Sequence, residues 1–513
     1  MAKLGVTKKF LGAVLGLCFG ALGATSAMAA LDVSMSIAPT YNNPINPGDI
    51  TAFRITLANS NPASAVTGVA FTDSLPAGLK VAGTGLVTYT CVNGFGTAIA
   101  PSGMVTATVG SGTIALSGGA VPVAAGGGAS GHCDIDVEVT STARGTVQTN
   151  TVAAGAVTGT DSGPVSNGTP AVQTVTVNNL NRPVISKSFS SATVVKDDQT
   201  VMLTLTISNA DNPGVDLPLN GAADSPAFGL RDILPAGLEV AGIPNTSVSC
   251  PGGIAPTFAP SVGSTTLLAV GGKVAAGGSC TFRVDIVGTT TAGAYSNSLT
   301  NTVSASSDFA TPRGINPAAN ASATLAVQSA LQVSKSFSPG TAAAGQSATL
   351  TITLRNVSPS QALTFTTFTD DPIDGVGNAG YGLKVGSPTT TCVGSAVVAT
   401  AGNLGITLTG GTLAANSSCT ISVPFVGTLQ TPGTPQSFTN TIPQGAVQTI
   451  DPSIISQTAV ASVNLVDQLT VSKSVSPNGN VAPGNPVQYT ITINNYAVVP
   501  LTSVTFTDML PPA

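Results

Sequence analysis

The stretch ISKSFSS at residues 185–191 returns as VSKSFSP at 333–339 and VSKSVSP at 471–477, and in altered form as VSMSIAP at 33–39. Within each copy the apolar residues alternate: Ile185, Lys187 and Phe189 share one parity, as do Val333, Lys335 and Phe337. Alternation with period two marks a strand that buries one face. It also sets each lysine among the apolar side chains, an expensive position for a charge.

Further elements follow each opening stretch in a fixed order. The next strand reads FRITLAN at 53–59, MLTLTISN at 202–209, TLTITLRN at 349–356 and YTITINN at 489–495. Then come FTDSLPAGLKV at 71–81, LRDILPAGLEV at 230–240, FTDDP at 368–372 and FTDMLPPA at 506–513. A late strand opens on cysteine (HCDIDVEV, SCTFRVDIV, SCTISVPFV), and a TNT step follows at 149–151, 300–302 and 439–441. Self-similarity at such a period is the signature of tandem modules. Short alternating strands divided by Gly, Pro and Asn turns predict an all-β chain of Ig-like β-sandwich repeats, with seven to nine strands in each. The expected domains are repeat 1 at 30–178, repeat 2 at 179–327, repeat 3 at 328–466 and the first third of repeat 4 at 467–513, read as cut short inside its sandwich. Junctions of a few residues predict an elongated, semi-rigid rod.

Composition agrees. Charged residues make up 8% and aromatics 4%, with no Trp and one His, while small and β-branched residues dominate. The net charge of −5 and the lack of a basic cluster past residue 9 exclude nucleic acid as a natural partner. Residues 1–29 read as a signal peptide: Lys3, Lys8 and Lys9, an apolar run from Phe10 to Ala24, and Ala27-Met28-Ala29 as the cleavage signal. No span of membrane length is expected after it.

Cysteine usage fits export. Apart from Cys18, two cysteines fall in each complete repeat, and one disulfide per repeat is the simple pairing: Cys91–Cys133, Cys250–Cys280 and Cys392–Cys419. A zinc site is excluded by the absence of C-x-x-C pairs and histidine partners.

The K-S-F-S-P opening, the T-I-T-L-x-N strand, F-T-D-x-L-P-A-G-L and T-N-T together resemble the bacterial secreted "conserved repeat" domains of unknown function (DUF-eleven-like), which are similar to Ig-like modules of large surface proteins. The resemblance covers essentially all of 30–513 and implies exported, repetitive, surface-exposed architecture. It implies no ligand.

Other fragments carry less. GHC at 131–133 and DSGP at 161–164 echo serine-protease motifs, but a triad needs an oriented base, and His132 stands where the other repeats have Gly or Ser, reading as a solvated turn position. Asp134, Asp136 and Glu138 alternate with Ile135, Val137 and Val139, as an exposed acidic strand face would. Asp370, Asp371, Asp374 and Asn378 form an oxygen-rich loop and a weak calcium candidate, though without EF-hand spacing. No other metal and no cofactor is expected.

The same parity test places further polar residues inward. Asp232 shares a face with Leu230, Asp370 with Phe368 and Asp73 with Phe71, while Asn301 aligns with Val303, Asn440 with Ile442 and Asn150 with Val152. Lys187, Asp232 and Asn301, and likewise Lys335, Asp370 and Asn440, are therefore candidates for a buried polar cluster. Such a set is similar to the Lys/Asn/acid triads of adhesin and pilin sandwiches, which implies an intramolecular isopeptide bond; a hydrogen-bonded cluster without the bond, or separate local roles in turns and backbone bonding, are the alternatives. Repeat 1 has Met35 at the lysine position, and Lys473 has no asparagine counterpart up to residue 513.

The expected function is a non-catalytic, exported structural or adhesive stalk at the bacterial cell surface, facing cell-envelope or extracellular protein or glycan partners. The alternatives are a repeat module whose loops bind glycan or protein, and a spacer within a larger secreted enzyme. Few aromatics are available to stack on sugar rings, which disfavours glycan.

Overall fold

The computed structural model describes residues 31–83, 87–289, 291, 293–371, 382–399, 405–431, 433–497 and 499–510. The signal-peptide reading at 1–29 and the loop residues Asp374 and Asn378 lie outside them. Among the described residues there are strands and turns but no helix. Contacts divide the chain into two compact units, one of Met1–Asn181 with Arg313–Ile315 and one of Arg182–Pro312 with Asn316–Ala513.

In the first unit, the repeat-1 sandwich is built on Ile50–Asn59, which pairs antiparallel with Leu31–Ile37 on one side and Gly131–Thr140 on the other. The register Phe53↔Val137, Ile55↔Ile135 and Leu57↔Cys133 brings apolar residues of one parity onto one face. All six are buried. The facing sheet centres on Val66–Ser74 paired with Thr113–Val121, and a ribbon of Thr146–Val152 with Ala171–Val177 lies at the side.

The second unit repeats this plan twice. In repeat 2, Val184–Phe189, Thr200–Ser208, Ser279–Gly288 and Leu238–Val240 form one sheet, and Leu230–Ile233 pairs with Thr266–Val270 in the facing one. A third sheet holds Ser296–Val303 and Ala321–Gln328, the latter also pairing parallel with Thr193–Val195. Repeat 3 reproduces the order with Leu331–Ser338, Ser347–Asn356, Ser418–Thr428 and Gly382–Val385, then Thr367–Asp370 facing them, then Gln436–Ile442 with Ala459–Val466. The strands outnumber the seven to nine expected per repeat, because several are pieces of only two or three residues.

Glycines let the third sheet approach. A Cβ on Gly288 would lie 2.6 Å from the Val327 side chain, and one on the matching Gly427 would collide with Leu465. Repeats 2 and 3 also pack on one another: Val195 of repeat 2 joins the hydrophobic core of repeat 3, and Asp198 accepts hydrogen bonds from the Ser358 and Ser360 hydroxyls. The fourth segment is a hairpin of Leu469–Ser476 with Gln488–Asn495, whose Val471, Tyr489 and Ile493 remain exposed. Two strands cannot bury both of their faces.

Two local readings change. His132 is not in a turn but in the strand Gly131–Thr140, opposite Ala58; the strand begins two residues before its cysteine. The acidic alternation is not an open carboxylate face, because register sets Arg54 directly across from Asp136. Its guanidinium donates to both Asp136 oxygens at 2.7 Å and lies 3.1 Å from Asp134. Glu138 is buried and accepts from the Tyr41 hydroxyl at 2.5 Å, a bond that pushes the phenol pKa up to about 12.

Candidate functional site

Three sheets meet at one point inside repeat 2. Lys187 comes from the opening strand, between Ile185 and Phe189 and opposite Leu205. Asp232 comes from the facing sheet, opposite Leu267. Asn301 comes from the third sheet, opposite Ala323. Each points inward because its strand alternates and its parity matches the apolar residues, so one register choice buries them all.

The side chains of Lys187 and Asp232 are 0% exposed, and so is Asn301. Lys187 Nζ donates to both Asp232 oxygens at 2.6 Å, and Asn301 Nδ2 donates to Asp232 Oδ2 at 3.1 Å. Lysine and asparagine thus share one carboxylate oxygen. Asn301 Oδ1 is buried with no hydrogen-bond partner, a state that costs the desolvation of a carbonyl with nothing in return. Desolvation lowers the Lys187 pKa and raises that of Asp232, and in each case the partner's opposite charge only partly offsets it.

Repeat 3 builds the same arrangement. Lys335 Nζ lies 2.8 Å from Asp370 Oδ1 and 2.6 Å from Oδ2, with both side chains at most 1% exposed. Asn440 Nδ2 donates to Asp370 Oδ1 at 3.2 Å and also to the Asp371 carbonyl, while its own Oδ1 is buried without a partner. The Asp370 carboxylate is thus engaged in the core by Lys335 and Asn440. Among the described residues no group of three or more His, Cys, Asp or Glu side chains is arranged to hold a metal ion.

Repeat 1 keeps two of the three residues. Asn150 Nδ2 donates to Asp73 Oδ2 at 2.7 Å and lies 3.5 Å from Met35 Sδ, so the methionine fills the lysine position. Asp73 Oδ1 and Asn150 Oδ1 are both buried without partners, and burial raises the Asp73 pKa. In the fourth segment Lys473 Nζ lies 2.8 Å and 2.7 Å from the two Asp508 oxygens, in a far more exposed pair.

Each complete repeat also carries its disulfide: Cys91–Cys133, Cys250–Cys280 and Cys392–Cys419. In repeat 1 it joins directly opposed residues of Val87–Val92 and Gly131–Thr140. Residues that the sequence reading missed are Arg54, which pairs with Asp136 and Asp134, and Tyr41, which donates to Glu138. Their signal is cross-strand register, and no residue pattern states it in advance.

A family model described as Domain of unknown function (DUF7933) matches residues 40–177, 183–327 and 332–466. No curated protein matches. Among solved structures, the chain is similar to a putative membrane anchored protein from Corynebacterium diphtheriae, at 11% identity over 85% of this chain and 96% of that one, with a TM-score of 0.23. The Streptococcus agalactiae AgI/II polypeptide BspA C-terminal domain matches at 12% identity over 58% and 99%, with a TM-score of 0.25. The collagen adhesin from S. aureus matches at 12% identity over 58% and 94%, with a TM-score of 0.17.

Proposed function

Because three copies of its domain make this chain a member of the DUF7933 family, we propose that it is an exported, non-catalytic structural protein of the cell surface. Its repeats serve as covalently reinforced modules that hold load or spacing. The observation that carries this reading is the internal disulfide closed in every complete repeat. Such bonds persist in oxidising compartments. In the chain-entropy account, loops of 42, 30 and 27 residues each stabilise by roughly 3.5–4 kcal/mol. The interior polar groups also serve packing: each repeat directs its inward acid and amide at one another rather than into an open cleft.

Fractionation of a bacterial host expressing the full chain tests the reading. The expected result is a chain processed after Ala29, found outside the cytoplasm with Cys91, Cys133, Cys250, Cys280, Cys392 and Cys419 all oxidised. An unprocessed cytoplasmic chain with free thiols would overturn it.

A further inference from the structure

From the two fully buried lysine clusters we infer that repeats 2 and 3 each form an intramolecular amide bond, joining Lys187 Nζ to Asn301 Cγ and Lys335 Nζ to Asn440 Cγ. This goes beyond the structural role proposed above and holds whether or not the chain is exported.

Proximity is the first ground. In each repeat the amine and the side-chain amide donate to the same carboxylate oxygen, Asp232 Oδ2 and Asp370 Oδ1 respectively. Neither group has room to leave, since lysine, aspartate and asparagine are all at most 2% exposed. Holding reactants in this way replaces a bimolecular encounter with an effectively unimolecular one.

The unpartnered amide oxygen is the second ground. Both Asn301 and Asn440 bury an Oδ1 that nothing satisfies. A protonated aspartate can supply the missing donor. Turning the Asn301 amide over exchanges its nitrogen and oxygen, bringing Oδ1 to the place that Nδ2 holds 3.1 Å from Asp232. The acid then polarises the carbonyl it touches. Burial favours the required protonation states at Lys187 and Asp232, a neutral amine beside a neutral acid.

The step balances without any other reactant. One proton passes from the ammonium to the aspartate, leaving a lone pair on Nζ. Nζ attacks the asparagine Cγ while the acid hydrogen-bonds the developing oxyanion. The Nζ–Cγ bond forms and the Cγ–Nδ2 bond breaks. The carboxyl group relays a proton from Nζ to Nδ2, which leaves as ammonia, and the aspartate ends protonated. Asparagine rather than aspartate is the electrophile, because the acid's proton polarises the amide carbonyl while the acid itself is held as the proton relay.

Repeat 1 is the internal control. With Met35 beside Asp73 and Asn150 it has the acid and the amide but no amine. It also shows that the sandwich closes with methionine at that position.

Intact mass of the reduced, denatured full chain is the test, read together with K187M, K335M and the double variant. The wild-type chain is expected to weigh two ammonias less than its sequence. Each single variant should recover one of them and the double variant both. Protease digestion should yield branched peptides joining Lys187 to Asn301 and Lys335 to Asn440. A wild-type chain of full mass overturns the proposal, as does a deficit that persists in the double variant, which would mark cyclised asparagine elsewhere. Loss of water in place of ammonia would overturn asparagine as the electrophile. The aspartate's part is tested by D232N in a chain whose disulfides and circular dichroism show it folded: it should retain the repeat-2 ammonia, and its loss there would overturn that role.

Discussion

At the scale of the residue, Asp73 shows most directly what burial does to a charge. It and Asn150, joined by one hydrogen bond, each bury one unpartnered oxygen. A protonated, uncharged Asp73 carboxyl costs less to bury there than a carboxylate, while Oδ2 goes on accepting from Asn150 Nδ2. Folding therefore raises the Asp73 pKa, desolvation being the main cause and the Asn150 hydrogen bond opposing it. A raised folded value means that this stabilisation is complete below the ordinary carboxylate value and is lost as pH climbs through the folded one. Thermal melts of the full chain should show the repeat-1 transition moving to lower temperature as pH rises above the ordinary carboxylate range. Asp73→Asn should flatten that slope and raise stability at neutral pH by about 1–2 kcal/mol, since two amides can pair reciprocally without charge. An unchanged slope in D73N would assign the titration to another group. The inward Lys, Asp and Asn positions were legible in the sequence because strand parity is an arithmetic property of residue number. Which oxygens would be left without partners was not, since that depends on distances across three sheets.

At the scale of the element, cross-strand register decides what alternation means. Asp134, Asp136 and Glu138 have the spacing of an open acidic face, yet register sets Arg54 opposite Asp136 and Thr56 opposite Asp134. Thr56 Oγ1 donates to Asp134 at 2.6 Å, and Arg54 makes its forked contact with Asp136. Arg54→Ala would leave two carboxylates on one strand without their cation. The expected loss is about 1–3 kcal/mol in denaturant unfolding of repeat 1, from charge-assisted hydrogen bonds at a partly buried site. A shift below a few tenths would mean that solvent already screens the pair. Strand existence was readable from Val, Ile and Thr alternation, and the disulfide partners from two cysteines per repeat. The strand carrying His132 starts earlier than its turn-like neighbours suggest, because pairing with both Ala58 and Val92 extends it. The opposing residues of a sheet are fixed by turn geometry and packing, and neither can be read from one strand alone.

At the scale of the whole molecule, covalent ties determine how each repeat answers a pull on the chain. In repeats 2 and 3 tension enters at the strand that carries Lys187 or Lys335, and leaves past the strand that carries Asn301 or Asn440. An amide bond between those strands lets force bypass nearly all of the sandwich, so the residues between the tied positions cannot extend. Repeat 1 has no such bypass. Its disulfide withholds only the segment between Cys91 and Cys133, and the rest of the repeat can unravel at about 3.5 Å per residue. Stretching single full-length chains should therefore give one long extension of roughly 350 Å from repeat 1 and only short steps from repeats 2 and 3. Reduction should lengthen the repeat-1 step by roughly 150 Å, the reach of the freed segment. In the K187M, K335M double variant, three long steps should replace one. Three long steps in the wild-type chain would mean that the clusters are hydrogen-bonded but not joined. The mass deficit and the step count must agree, because one bond accounts for both.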